Sequence, residues 1–293
     1  MVLLFNVTSA GAQDLEPRTY SNAPVGLNFL LLGYGYSSGN ILVDAALPIE
    51  DGRAKLNLLV GRYVRTVNLF GRSGRVSLSV PYTWGTFKGT LAGRPDSTTR
   101  SNFADPRVEI SMNLIGGPAL SLREFVRYRQ KTIVGVSLQV IAPLGEYDAT
   151  KIVNLGSNRW TFRPQFGVAH AWKKWNLEVY ASAWFFTVNP RSLGDARLEQ
   201  QPVFALQGHV SYTFRPGLWA ALNAGLAGGG RTTVDGLRRN DLQENTRVGV
   251  TVSIPLARRH GIKLVLVSGV TTRIGADFDS ILVAYQYRWG AGL

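Results

Sequence analysis

The chain contains no cysteine, and that single absence removes a disulfide framework, a thiolate metal site and a cysteine nucleophile. Long apolar runs are missing too. Nothing approaches the ~20 consecutive apolar residues that a transmembrane helix needs. Histidine is scarce. His170, His209 and His260 stand alone, and no two share a metal-ligand spacing, so neither a metal nor a cofactor is expected. Acidic residues are few, 19 against 32 lysines and arginines, which leaves a formal charge of +13. A nucleic-acid partner is nevertheless not expected. The bases are scattered or paired at turns, as in Lys173-Lys174 and Arg258-Arg259, and form no basic patch interleaved with aromatics.

What the chain does have is strict two-residue alternation over long stretches. Val76, Leu78, Val80, Tyr82 and Trp84 share one face, while Arg75, Ser77, Ser79 and Thr83 share the other. The same pattern sets Val108, Ile110, Met112 and Leu114 against Arg107, Glu109, Ser111 and Asn113. It recurs around 160–168 and 246–256. Continued along the chain it predicts about twelve strands, near 26–36, 56–70, 75–87, 106–116, 132–145, 159–170, 175–187, 203–214, 218–228, 245–256, 262–273 and 280–289. Two strands are imperfect. Arg62 falls on the parity of Leu58 and Val60, which predicts a bulge or a change of phase. Val265 and Val267 fall on a face that is otherwise polar.

These strands are about twice the ~5–6 residues usual in soluble sheets. Short connections (71–74, 171–174, 215–217, 257–261) interleave with long ones (38–54, 88–105, 146–158, 188–202, 229–244). Tryptophan and tyrosine gather near strand ends at Tyr82, Trp84, Trp160, Trp175, Tyr212, Trp219, Tyr287 and Trp289, as in an aromatic girdle. The reading is all-β: an antiparallel transmembrane β-barrel of about twelve strands, with short periplasmic turns and long outer loops. A mean hydropathy of +0.01 does not oppose it, because only alternate residues would face lipid. Met1–Ala12, with its Ala10-Gly11-Ala12 end, reads as the remnant of a signal peptide. Residues 13–25 then form a periplasmic N-terminal segment, 26–289 a single barrel domain and 290–293 a tail. A small helix is predicted within Leu122–Gln130, where a short turn would otherwise be due.

The landmarks between strands carry a resemblance. They are Leu69-Phe70-Gly71-Arg72-Ser73, Ala104-Asp105-Pro106-Arg107, Pro143-Leu144-Gly145-Glu146-Tyr147, Asn154-Leu155-Gly156-Ser157-Asn158-Arg159-Trp160 and the closing Tyr285-x-Tyr287-x-Trp289. From about Pro24 to Trp289 the chain resembles the bacterial outer-membrane family labelled for the meta-pathway of phenol degradation. The resemblance implies an outer-membrane barrel that takes up aromatic or other hydrophobic compounds, and it brings no catalytic residues with it.

Candidate site residues follow from parity. Arg107, Glu109, Arg159, Arg163, Glu178, His209, Arg247, Arg273 and Arg288 are expected to line the lumen. Charges there must be paired or wet, either as a lattice stiffening the wall or as a net-positive path for anions. The partners expected are outer-membrane lipid, the barrel-assembly machinery that would engage the aromatic final strand, and a small-molecule solute. The expected function is an outer-membrane channel rather than an enzyme, with residues 38–54 or 188–202 folding inward as a constriction. A structural barrel with a closed lumen is the first alternative. A lipid-acting enzyme built on His209 and Ser211 is the weaker one, since residues two apart on a strand rarely form a nucleophile–base pair. Gly33-Tyr34-Gly35-Tyr36-Ser37-Ser38-Gly39 imitates a dinucleotide glycine loop but lacks the helix that such a loop requires.

Overall fold

The computed structural model describes residues 5–6, 15–42 and 49–292. Thirteen strands build one wall: β1 (Leu27–Leu42), β2 (Ile49–Leu69), β3 (Arg72–Leu91), β4 (Arg94–Phe103), β5 (Arg107–Ile115), β6 (Thr132–Ile141), β7 (Thr161–Trp172), β8 (Trp175–Phe186), β9 (Val203–Arg215), β10 (Leu218–Gly229), β11 (Gln243–Pro255), β12 (His260–Thr272) and β13 (Gly275–Gly290). All neighbours are antiparallel, and β13 pairs with β1 along its whole length, from Gly275–Leu42 to Gly290–Leu27, which closes the sheet. Both β4 and β5 pair with β3, β4 along its outer half and β5 along its inner half. They are one wall position broken at Ala104-Asp105-Pro106, so the barrel has twelve strands. Closure meets the demand that lipid places on a backbone, since no edge is left without hydrogen-bond partners in the hydrocarbon. No helix among the described residues is long and apolar enough to cross a membrane.

Local chemistry explains the connections. Phe70 and Gly71 both have positive φ (53° and 77°), the tight two-residue hairpin turn that suits the twist of the flanking strands. Ala92 and Gly93 (49° and 77°) form the same turn, so residues 88–105, expected as an open loop, are instead a hairpin that continues β3 and β4 outward. The helix, α1 (Leu122–Arg127), begins at a capping box: Ser121 and Glu124 bond reciprocally through side chain and backbone.

The alternation divides inside from outside. Leu32, Val179 and Leu222 are 53%, 54% and 67% exposed on the outer face, while Ser211, Thr251 and Gln207 are buried inside. Outward aromatics gather at both ends. Trp175 packs on Tyr212 (4.8 Å) and Tyr287 on Trp289 (5.4 Å) at the periplasmic end, and Trp84 lies beside Tyr34 (6.2 Å) toward the outer one. Trp160 also faces outward. Trp219 is a correction. It lies on the parity of buried Ala221 and Asn223, and the Arg18 guanidinium stacks 4.5 Å from its ring inside the barrel. Its position near a strand end matches that of a girdle residue, but its phase does not. The proposed signal segment Met1–Ala12 lies outside the described residues, apart from the backbone of Phe5–Asn6 beside Val153–Asn154. Leu293 lies outside them too.

A charge placed against lipid must cost what the same charge in water does not. Leu222→Arg is expected to lower unfolding free energy in lipid vesicles by about 2–4 kcal/mol. Leu237→Arg, at an equally exposed leucine of an outer loop, should leave it unchanged. Equal effects at the two positions would mean that the outer face of the wall does not meet lipid.

Candidate functional site

Inside the barrel the wall is of two kinds. From β5 to β11 the inward face is rich in polar residues, many of them bonded to one another. Arg163 Nη2 donates to Gln165 Oε1 (2.7 Å) and its guanidinium stacks 4.7 Å from the ring of Trp184. Gln139 donates to Glu109 (3.3 Å), and Tyr180 Oη donates to Glu178 (2.5 Å). His209 Nδ1 is 2.9 Å from Asn223 Oδ1, and Asn223 Nδ2 donates to Thr251 (3.0 Å), a ladder across β9, β10 and β11. Such buried polar groups are stable only when they satisfy one another in this way.

The other half of the wall, β1, β2, β12 and β13, turns apolar residues inward. Leu58, Val60 and Arg62 all face the lumen, and β2 runs in unbroken register with β1 past Arg62. The bulge or change of phase expected there does not occur. Val265 and Val267 likewise face inward. The irregularities in the sequence pattern are thus one feature: the polar face of the alternation gives way to an apolar patch inside the barrel. Leu31, Leu58, Val60, Val265, Val267 and Leu282 form this patch, with Gly33 and Gly35 between them keeping the wall low.

Residues 15–22, expected in the periplasm, lie instead within the barrel against its polar half. The Arg18 amide donates to both carboxylate oxygens of Glu178 (3.1 and 2.9 Å), and its guanidinium donates to Ser211 (3.1 Å) and Thr213 (2.6 Å). Glu16 pairs with Arg62 at 2.9 Å, and Arg75 donates to the carbonyls of Thr19 and Ser21. The ring of Tyr20 occupies a slot over Gly135 and Gly167, which face each other across β6 and β7. A Cβ on either glycine would come within 2.2 Å of a ring carbon. Sequence reasoning missed this segment because alternation reports on strands and says nothing of a coil packed against them. The paired glycines of adjacent strands were the available signal.

At the outer end, 188–202 packs against the 142–160 loop through Asn189 and Gly194, and residues of that loop reach inward. Asp105, at the break between β4 and β5, holds them. Its buried carboxylate accepts from the Gly145 amide (2.9 Å), the Ser157 amide (2.8 Å) and the Ser157 hydroxyl (2.6 Å). Asn189, also buried, donates to the Tyr147 hydroxyl (2.9 Å) and accepts from Asn158 (2.8 Å). Burial pushes the Tyr147 hydroxyl up from its ordinary pKa. Leu155 points down into the lumen as part of its roof.

Between this roof, the N-terminal segment and the apolar wall lies a cavity of about 360 Å³. Leu15, Ile141, Leu155 and Phe278 add to its apolar lining, and Glu16, Asp105, Arg62, Arg107, Arg247 and Lys263 supply its charge. Of the expected lumen residues, Arg107 and Arg247 meet this cavity, while Glu109, Arg163, Glu178 and His209 belong to the polar half. Arg159 is buried at the outer mouth, stacked 4.4 Å from the Phe186 ring. Arg273 sits in an outer turn, paired with Glu244 at 3.6 Å, and Arg288 donates to the Arg258 carbonyl at the periplasmic rim (2.7 Å). Neither lines the lumen proper. His209 and Ser211 do not bond to each other. Asn223 holds the first and Arg18 the second.

A closed twelve-stranded barrel with a lipid-facing belt and an occupied, partly open lumen defines a transmembrane β-barrel of the bacterial outer membrane. The chain belongs to the family described as "Putative MetA-pathway of phenol degradation", which matches residues 34–272. Its fold is similar to the crystal structure of an outer membrane channel from Pseudomonas putida F1 (20% identity, 94% of this chain and 100% of that one, TM-score 0.77). It is also similar to the transport unit of the autotransporter AIDA-I from Escherichia coli (6%, 96% and 95%, 0.52) and to the translocator domain of the autotransporter NalP from Neisseria meningitidis (8%, 92% and 90%, 0.52). No curated protein matches.

The Tyr20 slot can be tested by filling it. In Gly167→Val the new side chain takes the place of the ring, and the segment should leave the wall. Trypsin is then expected to cut after Arg18 in the folded variant and to spare that bond in the wild type. Equal resistance in both would mean that Tyr20 does not anchor the segment.

Proposed function

We propose that this protein is an outer-membrane channel for small molecules with an apolar body and an anionic end, aromatic acids and related hydrophobic compounds among them. The observation that carries the reading is the composition of the cavity. An apolar wall of Leu31, Leu58, Val60, Val265 and Val267 shares the cavity with the cations Arg62, Arg107, Arg247 and Lys263, which outnumber the acids Glu16 and Asp105. Apolar area draws in a hydrocarbon or ring, and a few placed cations orient a carboxylate. Its size suits a small organic molecule, and the family's description, which refers to phenol degradation, points to the same class. The fold of an outer membrane channel supports passage. The N-terminal segment and the 142–160 loop narrow the path, so traffic of bulk ions should be slight until one of them moves. On this reading Met1–Ala12 directs export and the aromatic final strand Gly275–Gly290 is what the barrel-assembly machinery engages.

Solute flux into proteoliposomes decides it. Benzoate or a similar aromatic acid is expected to enter faster than a neutral sugar of similar size. Val60→Gln with Val265→Gln should reduce benzoate flux at least several-fold and leave the small ion conductance in place. No flux of either solute through folded protein would favour the closed structural barrel.

A further inference from the structure

The charge of the chain is unevenly distributed along the membrane normal. On the outer side, bases come with acids: Lys151 with Glu146 (3.2 Å), Arg191 with Asp195 (3.2 Å) and Arg197 with Glu199 (2.9 Å). The periplasmic side has one sign. Its turns expose Lys173, Lys174, Arg215 and Arg258, and the α1 region exposes Arg123, Arg127 and Arg129. Among the described residues the only carboxylate in these turns and around α1 is Glu124. That carboxylate is engaged by Ser121 in the capping box, accepting from its amide (2.8 Å) and its hydroxyl (2.7 Å). Many like charges on a small rim repel one another, and among the described residues Glu124 is the only counter-charge around these turns and α1.

Two geometric facts place these bases at headgroup level rather than out in the periplasm. The Lys173 ammonium lies 5.2 Å from the ring of Trp172, and the Lys174 ammonium 6.0 Å from the ring of Tyr212. Trp172 is 58% exposed, and Tyr212 packs against lipid-facing Trp175, within the aromatic belt. An amphipathic ring rests at the interface, so an ammonium over it meets the phosphate layer. Apolar side chains accompany the bases on the same rim. Phe70, at the tip of the β2–β3 turn, is 96% exposed, and Val126 of α1 is 68% exposed. Bases beside exposed apolar residues are the composition of a surface that sits on a membrane interface.

We propose that the periplasmic rim binds anionic phospholipid headgroups of the inner leaflet, so that the barrel carries an annulus of acidic lipid on that side alone. The remaining counter-charge is then supplied by phosphate. The inference stands apart from the solute reading, because it uses no residue of the cavity.

The test is a lipid-competition measurement on the full chain reconstituted in bilayers. Brominated phosphatidylglycerol or brominated phosphatidylcholine, present as a minor component, quenches the tryptophans near the periplasmic end. The wild type is expected to favour phosphatidylglycerol by about threefold or more, and salt near 1 M should abolish the preference. Replacing Lys173, Lys174, Arg215 and Arg258 by Gln should bring the ratio close to one. Arg197→Gln with Arg238→Gln, on the outer loops, should leave it unchanged. If the quadruple variant does not fold, the salt titration of the wild type decides. A ratio near one in the wild type, a preference that survives high salt, or a preference retained by the folded quadruple variant would overturn the proposal. So would equal loss from the outer-loop variant. An acidic peptide bound tightly by a rim that shows no lipid preference would mean that the partner is a protein.

Discussion

The constraint on which the structure rests is that no backbone amide or carbonyl can go unpaired in hydrocarbon. The pairing of β13 with β1 answers it. Once the sheet is closed, the two-residue period of a strand assigns every side chain to lipid or to lumen, and a single residue of slip would exchange them. Closure thus lets one chain carry a greasy belt outside and a lattice of arginine, glutamate and amide groups inside. Both faces depend on the same register.

The same rule explains how a barrel of this width has a cavity at all. A fully polar interior would either fill with water or knit itself shut. Here the N-terminal segment takes the place of water along the polar half, where Glu178, Ser211 and Thr213 bind Arg18 and the glycine pair receives Tyr20. The opposite wall offers that segment little beyond the Arg62–Glu16 pair, since most of its other inward residues are apolar. The segment therefore stays on one side, and the space left against the apolar wall is the cavity. Asp105 fixes its roof by binding both limbs of the 142–160 loop. The wall break, the plug and the roof are three parts of one arrangement that leaves a pocket in place of an open pore.

Much of the fold was legible in the sequence. Alternation gave the strand count and the outward belt, and the interleaved short and long connections gave the sidedness. What the alternation could not reveal was which departures from it carry meaning. Arg62 beside Leu58 and Val60 looked like a fault in one strand, and Val265 with Val267 like a fault in another. Strands far apart in sequence became one surface only when the sheet closed. Trp219 was misplaced because nearness to a strand end says nothing about phase. The Ala92-Gly93 turn was hidden because its flanking strands rise into water, where both faces are polar. Tyr20 was invisible because a coil has no period.

The cavity exists only if the apolar residues Leu58, Val60, Val265 and Val267 of β2 and β12 face the lumen and not the bilayer. The chain has no cysteine of its own, so single cysteines carrying an environment-sensitive fluorophore can be placed at Leu59, Val60, Val265 and Leu266 in the reconstituted protein. Lipids brominated on their acyl chains should quench the label at positions 59 and 266 and leave it bright at 60 and 265. Strong quenching at 60 and 265 would put those residues in the membrane, reverse the register of both strands and remove the cavity wall.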